Sequence, residues 1–401
     1  MKQQALKSTL ILLTVISVVC DTMILPFYPQ FFATEFNVSS SLHVGSYLAT
    51  CCITVMCAFP LWAKVARRVH ELHLWVVTQI IAGGLGVACY FATDLLAFWL
   101  LSQTMLVFKA SYLLIYPFVL SLEEKEKHLG IVGLFSVLMH FGGIGGALLG
   151  GLVLHSFDPR ALYLIMAAGD AVQVLLCLYL IRVLAVTWHQ RALGESTTER
   201  ARIPRFVLVL GLVSMGVYFS AFLARPFFTL FWQQLSGFNN DILAGFIFAI
   251  PAWVALACLY RNHRRPRSQA HHGKDIAWAM LLASIGLLLH GAQAWPVMIF
   301  GRVLLGIGLF VVTVRLEVVL FALSEPRFYG SDFAKVHFMQ NIGLISASFL
   351  VGSLVSDGNY TLPFFVASAG FVLTLMVFYG LYMRPEAQQF NRVSQTSTPS
   401  H

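Results

Sequence analysis

Seven ionisable residues stand inside long apolar runs of this chain and are the side chains best placed to do chemistry: Asp21, Lys109, Asp170, Arg225, Arg302, Arg315 and Glu317. At membrane depth such a charge costs roughly 2.5 to 3.5 kcal/mol or more, so these groups face a cavity or one another and mark an ion or ligand path. Asp21 is the expected proton carrier, because a carboxylate in a poorly hydrated place can take up and release a proton under the control of its neighbours. Lys109 is its expected counter-charge; the alternative is a fixed ion pair that only specifies packing. Arg225 and Arg302 could grip an anionic group in bidentate fashion, although Arg302, near a helix end, could instead snorkel outward. Arg315 and Glu317 are two residues apart and point to different sides, which suits gate or helix-packing roles. Asp170 reads as a polar anchor between helices, with a second proton site as the alternative.

Helical spacing groups these charges with other polar residues, because intervals of three, four and seven return to one face. Thr14, Ser17, Asp21 and Tyr28 form one stripe, and Lys109, Tyr112 and Tyr116 a second. Ser214, Tyr218, Arg225 and Thr229 form a third, and Arg302, Gly306, Thr313 and Glu317 a fourth. The stripes predict wet, aromatic-lined walls, with Tyr28, Tyr112, Tyr116, Tyr218, Arg225 and Arg302 facing a small-molecule substrate.

The elements that position these groups follow from composition. The 401 residues are 58% hydrophobic and only 11% charged, against roughly 25% charged in a soluble domain, so the chain is an all-α, multi-pass membrane protein. A spanning helix needs about 20 mainly apolar residues. Twelve segments qualify: 8–32, 44–63, 74–90, 95–119, 129–154, 162–183, 206–232, 243–260, 276–290, 297–323, 333–355 and 362–383. The first is too long for a signal peptide, holds Asp21, Pro26 and Pro29, and has no small-residue cleavage site after it. With the N-terminus inside, the cytoplasmic segments take 21 of the 26 Lys and Arg and the outer loops only Arg160. That asymmetry follows the positive-inside rule and places both termini in the cytoplasm. The net charge of +8 therefore reports topology and calls for no nucleic-acid partner.

A polar, basic stretch at 184–205 is the expected cytoplasmic linker between two six-helix bundles, 1–183 and 206–383, with a short cytoplasmic tail at 384–401. The halves look like a repeat: Gly142, Gly146 and Gly151 fall on Gly343, Ala347 and Gly352 at an offset of 201, Glu124 falls on Glu325, and the Pro29 end of the first helix matches the Pro226 end of the seventh. The seven cysteines lack paired metal spacing and read as apolar filler. His140 and His337 read as structural histidines, and His263, His271 and His272 as part of a solvated basic loop. Asn37 and Asn359 head glycosylation-like patterns by coincidence. No metal, cofactor or catalytic centre is expected.

The segment Gly133 to Gly151 carries glycine at helical spacing, with Gly142, Gly146 and Gly150 every four residues. Glycine in a helix interior costs about 1 kcal/mol, a loss explained where a second backbone comes close, as small residues allow in lipid. Gly133, Gly142, Gly146, Ala147, Gly150 and Gly151 resemble the fifth-helix antiporter motif of the major facilitator superfamily, with alanine at 147 where the family has proline. Asp21, Pro26 and Pro29 resemble the first-helix motif of its twelve-helix drug/proton antiporters. Arg302, Gly306 and Gly308 resemble the family's fourth-helix motif, displaced into the tenth helix. The basic loop after the second helix departs from the family, with Arg67 for an aspartate and His70 for a glycine.

The resemblance implies the twelve-helix fold in two pseudo-symmetric bundles, with helices 1, 4, 7 and 10 lining a central cavity; six of the seven buried charges fall on those helices. It further implies a secondary transporter, not an enzyme: a proton antiporter of the bacterial inner membrane, expected to act as a monomer. The glycine motif favours export over a symporter's import. Four positive against three negative buried charges favour an anionic cargo such as a carboxylate siderophore over the cations of multidrug exporters.

Overall fold

The computed structural model describes residues 2–121, 128–188, 203–263, 272–292, 294–325, 328–355 and 358–383. Most of the expected linker, the tail, His271 and the side chains of His140, His263 and His272 lie outside the described residues. What is described is helical without strands. The helices are α1 (Lys2–Thr22), α2 (Tyr28–Phe36), α3 (Ser41–Val65), α4 (Glu71–Phe91), α5 (Leu95–Lys109), α6 (Ile115–Ser121), α7 (His128–Ser156) and α8 (Ala161–Leu184). There follow α9 (Arg205–Leu223), α10 (Phe228–Ser236), α11 (Asp241–Phe248), α12 (Ile250–His263), α13 (His272–His290), α14 (Trp295–Leu323), α15 (Tyr329–Leu354) and α16 (Leu362–Phe378). Each of the twelve apolar segments coincides with helix. Among the described residues nine helices are long and apolar enough to cross a membrane, or ten if α11 and α12, bent by 41°, count as one span.

Four segments expected to be continuous are broken, each for a local reason. The first gives way after Thr22 to a 3-10 turn at Leu25–Phe27, with Pro26 in that turn and Pro29 at the start of α2. Proline lacks the N–H that would continue the ladder but suits a first helical turn. The seventh breaks between Leu223 and Phe228 around Pro226. The eighth bends at Ala249, ahead of Pro251. The fourth tightens into a 3-10 stretch at Ala110–Leu114 immediately after Lys109; such stretches inside a helix often mark a hinge.

The first and seventh breaks repeat at an offset of 200. Phe27 and Phe227 adopt nearly the same backbone angles, each begins a nine-residue helix, and each helix ends on a left-handed residue, Asn37 or Gly237. Pro26, rather than Pro29, is thus the counterpart of Pro226.

The described chain divides into two compact units, Met1–Ser196 with Arg225–Leu256, and Thr197–Ala224 with Ala257–His401. Residues 225–256, which the two-bundle reading assigns to the second half, pack with the first unit. The glycines of α7 explain this. A Cβ on Gly142 would meet the Val18 side chain, one on Gly146 would run into the α1 backbone at Val19, and one on Gly150 into the backbone of Met23 just past the end of α1. Gly151 closes instead on Asp241, while Gly245 of α11 sits on the Ala147 carbonyl. The helix therefore seats α1 on one side and α11 on another. Gly143 meets nothing within 4 Å, so close approach is confined to particular positions.

In the second unit α13 and α14 touch in the same way. Gly286 and Gly301 approach each other's backbones, and Gly308 lies against Ala279 and Ala283.

Candidate functional site

Three of the seven charges meet in the first unit. Lys109 Nζ lies 2.7 Å from Asp170 Oδ1 and 3.5 Å from Asp21 Oδ1. The Asp170 side chain is fully buried, that of Lys109 is 4% exposed and that of Asp21 25% exposed, so Asp21 is the open end of the group. Gly169 allows the meeting, because its bare face receives the Cys20 sulfur and lets α8 close on α1. A polar chain continues from Asp170: Gln173 Nε2 reaches Asp170 Oδ1 at 3.5 Å and Gln173 Oε1 accepts from Ser17 Oγ at 2.7 Å.

Sequence spacing pairs Asp21 with Lys109, whereas the shorter bond runs to Asp170. Asp170 is more intimately part of the group than an anchor elsewhere would be. Gln173 escapes sequence reasoning, although its place three residues after Asp170 puts it on the same helix face.

The stripes hold only where the helix is continuous. Tyr28 stands beyond the Thr22 break and packs on Tyr47 and Phe32, with ring centroids 5.1 and 6.1 Å away, in an aromatic cluster with Phe31, Phe98 and Tyr163. Tyr116, past the 3-10 stretch, packs on Phe135 at 5.1 Å. Arg225 lies in the second break and is exposed, not set in a helix face. Thr229 is likewise separated from Ser214 and Tyr218 by that break; its hydroxyl donates to the Pro26 carbonyl at 2.6 Å. Beside it a depression of about 400 Å³ is lined by Gln30, Thr34, Gln233, Asn239 and Asp241.

In the second unit Arg302 is 3% exposed beside His290, so it does not snorkel to a surface. Arg315 Nη2 pairs with Asp275 Oδ2 of α13 at 3.2 Å, a contact between neighbouring helices. Glu317 turns elsewhere, into a small cavity with Ser214, Tyr218, Thr313, Phe333 and Gln340. Ser214 and Tyr218 thus line the same cavity as Thr313 and Glu317. No group of three or more His, Cys, Asp or Glu among the described residues could hold a metal ion.

Many apolar spans with charges gathered inside them define a multi-pass membrane protein. Residues 10–264 match the family model of the Major Facilitator Superfamily, well over half of the chain, and the chain belongs to that superfamily. It is a secondary transporter of a small-molecule substrate rather than an enzyme. No curated protein matches the sequence. Among solved structures, a point mutant of the nucleoside transporter NupG superposes with a TM-score of 0.72 at 12% identity, covering 94% of this chain and 100% of its own. A bacterial homologue of the human lysosomal transporter Spinster gives 0.69 at 13% identity, covering 99% and 97%. The human organic anion transporter MFSD10 gives 0.68 at 15%, covering 94% and 99%. At these identities the likeness carries the fold alone.

Proposed function

We propose that this transporter is a proton-coupled antiporter that exports a small organic, anionic molecule such as a carboxylate siderophore. In this reading twelve spans form two six-helix bundles in a bacterial inner membrane, both termini are cytoplasmic, and the protein works as a monomer. The observation that carries it is the sharing of one lysine by two carboxylates. When both are ionised, Lys109, Asp21 and Asp170 sum to one negative charge, and a single proton neutralises the group. Asp21 is the carboxylate open to exchange that proton, because Asp170 is fully buried on the shorter bond. Rocking of two halves about a midplane site would then alternate access. The glycine ladder of α7, with its antiporter-like spacing, supports export. Arg225 and Arg302 supply the guanidinium groups that an acidic cargo would use.

The test is mass spectrometry of medium and cell extract from a deletion strain and its parent, grown with scarce and with ample iron. Export predicts one acidic metabolite lost from the medium and accumulated in the cells. A compound that the parent removes from the medium and the mutant leaves there would make the protein an importer, a proton/organic-anion symporter. Accumulation of cationic drugs alone would make it a multidrug exporter.

A further inference from the structure

Glu317 and Gln340 present a carboxylate and an unsatisfied amide oxygen to one cavity. The cavity lies among α9, α14 and α15, where Glu317, Gln340, Ser214 and Thr313 supply oxygens and Tyr218 and Phe333 supply rings. Among the described residues no hydrogen bond or ion pair reaches the Glu317 carboxylate; the nearest cation along the helix, Arg315, is engaged with Asp275. Gln340 is only 7% exposed, yet its Oε1 has no hydrogen-bond partner. Thr313 donates its hydroxyl proton to the Leu309 carbonyl at 2.8 Å, which leaves its oxygen lone pairs to accept.

A carboxylate at membrane depth without a counter-charge, beside a buried amide oxygen without a donor, is a costly arrangement. A ligand that relieves it brings positive charge and N–H or O–H donors together. The free space, about 10 Å³, admits roughly one water-sized group, so a head group enters and the body of a ligand stays outside. A bare metal ion of hard character would seek about six or more oxygens, whereas Leu210, Leu316, Leu320 and Val336 make most of the wall apolar. Aliphatic and aromatic walls suit a carbon-borne cation, and ring faces attract it further.

We propose that the Glu317–Gln340 cavity is a subsite for the primary ammonium head group of the transported molecule. This rests on the reading of the chain as an exporter of a small organic molecule. It adds an amine to the acidic groups proposed for that cargo and makes Glu317 a ligand-binding residue rather than a gate element.

The experiment measures binding of radiolabelled n-butylammonium to the purified full-length protein in detergent, at constant ionic strength, with sodium chloride and sodium butyrate as competitors. Saturable binding is expected that neither competitor displaces. Glu317→Gln should weaken it about tenfold or more, the loss expected when a charge-assisted hydrogen bond is removed. Gln340→Leu should weaken it several-fold, and it serves as the second variant if the first does not fold. No saturable binding to the wild type overturns the proposal, as does equal binding to both variants. Displacement by sodium would make the cavity a metal-ion site and overturn it too. Saturable binding of labelled butyrate without any of butylammonium would overturn the subsite while leaving the acidic-cargo reading intact. If butylammonium binds through Glu317 but the deletion strain retains no metabolite, the subsite stands and the export reading fails.

Discussion

Removing the Lys109 ammonium should be among the most damaging single changes in the first unit, and a second change should repair part of the damage. Lys109→Met keeps the length of the side chain but leaves Asp170, fully buried, with no cation at 2.7 Å and Asp21 with none at 3.5 Å. Breaking a buried pair by deleting one partner costs about 3–5 kcal/mol, because the surviving charge stays buried and uncompensated. Asp170→Asn should cost less, about 1–3 kcal/mol, since Lys109 keeps Asp21 and the new amide can still accept from its ammonium. In Lys109→Met/Asp170→Asn the uncompensated charge at the centre disappears, so the double variant should be more stable than Lys109→Met alone. The coupling energy should exceed the roughly 0.5 kcal/mol within which independent sites add. Unfolding of purified protein in mixed detergent micelles by increasing sodium dodecyl sulfate, followed by tryptophan fluorescence, gives all four corners of the cycle. A Lys109→Met variant within about 1 kcal/mol of wild type, or strictly additive changes, would refute the reasoning. Either result would mean that the group is solvated or already neutral.

Three further outcomes follow from other places in the chain. Asp21→Asn should fold normally, because Asp21 is the partly exposed member of its group, but in proteoliposomes it should abolish transport driven by a pH gradient while substrate binding persists; gradient-driven transport at the wild-type rate would remove Asp21 from coupling. Gly150→Val would force a side chain into the Met23 backbone and should cost about 1–3 kcal/mol or more, whereas Gly143→Ala, with open space around it, should be neutral or slightly stabilising; melting temperatures in detergent compare the two directly. His70 caps α4 by accepting the Leu72 N–H at 3.2 Å, and burial, with His73 a lesser cause, pushes its pKa down from 6.5 to about 4. Its native value lies below the unfolded one, so its contribution is intact above pH 6.5 and is lost as the pH falls toward 4. His70→Gln should therefore flatten the dependence of melting temperature on pH in that window, and an unchanged acid limb would refute the assignment.

The apolar runs were legible because a spanning helix leaves a long compositional mark, and helix occupies most of each of the twelve segments, with breaks or bends in four. The positions of Asp21, Lys109 and Asp170 inside those runs were equally plain. Their grouping was not. Pairing depends on which helix faces touch, and that Lys109 finds Asp170 of α8 closest is a fact of three-dimensional fit. The prolines were visible, yet treating each stripe as one rigid helix carried Tyr28 and Arg225 across breaks at Pro26 and Pro226. Beyond such a break the periodicity that put residues on a common face no longer applies. Gln340 carried no signal of its own, since an amide in an apolar run becomes informative only once its oxygen is found without a donor.

The glycine run shows how one stretch can answer two demands. Spacing by four predicts a single bare face and a single neighbour. Gly142, Gly146 and Gly150 meet that expectation against α1, while Gly151 and Ala147 turn to α11. At position 147 the superfamily pattern has proline, and here Gly245 of α11 rests on the carbonyl of Ala147. A proline at 147 would remove that residue's own N–H and press its ring toward the carbonyl of Gly143 one turn earlier, bending α7 where it meets α11. Alanine keeps the helix continuous, and the residue opposite it is a glycine, which lets the two backbones make close contact. Ala147→Pro should accordingly disturb the contact between α7 and α11 more than the one between α7 and α1. Cysteine pairs placed across each contact would read this out: cross-linking yield should fall at the α11 side and hold at the α1 side, and an equal fall at both would mean that α7 bends as a whole.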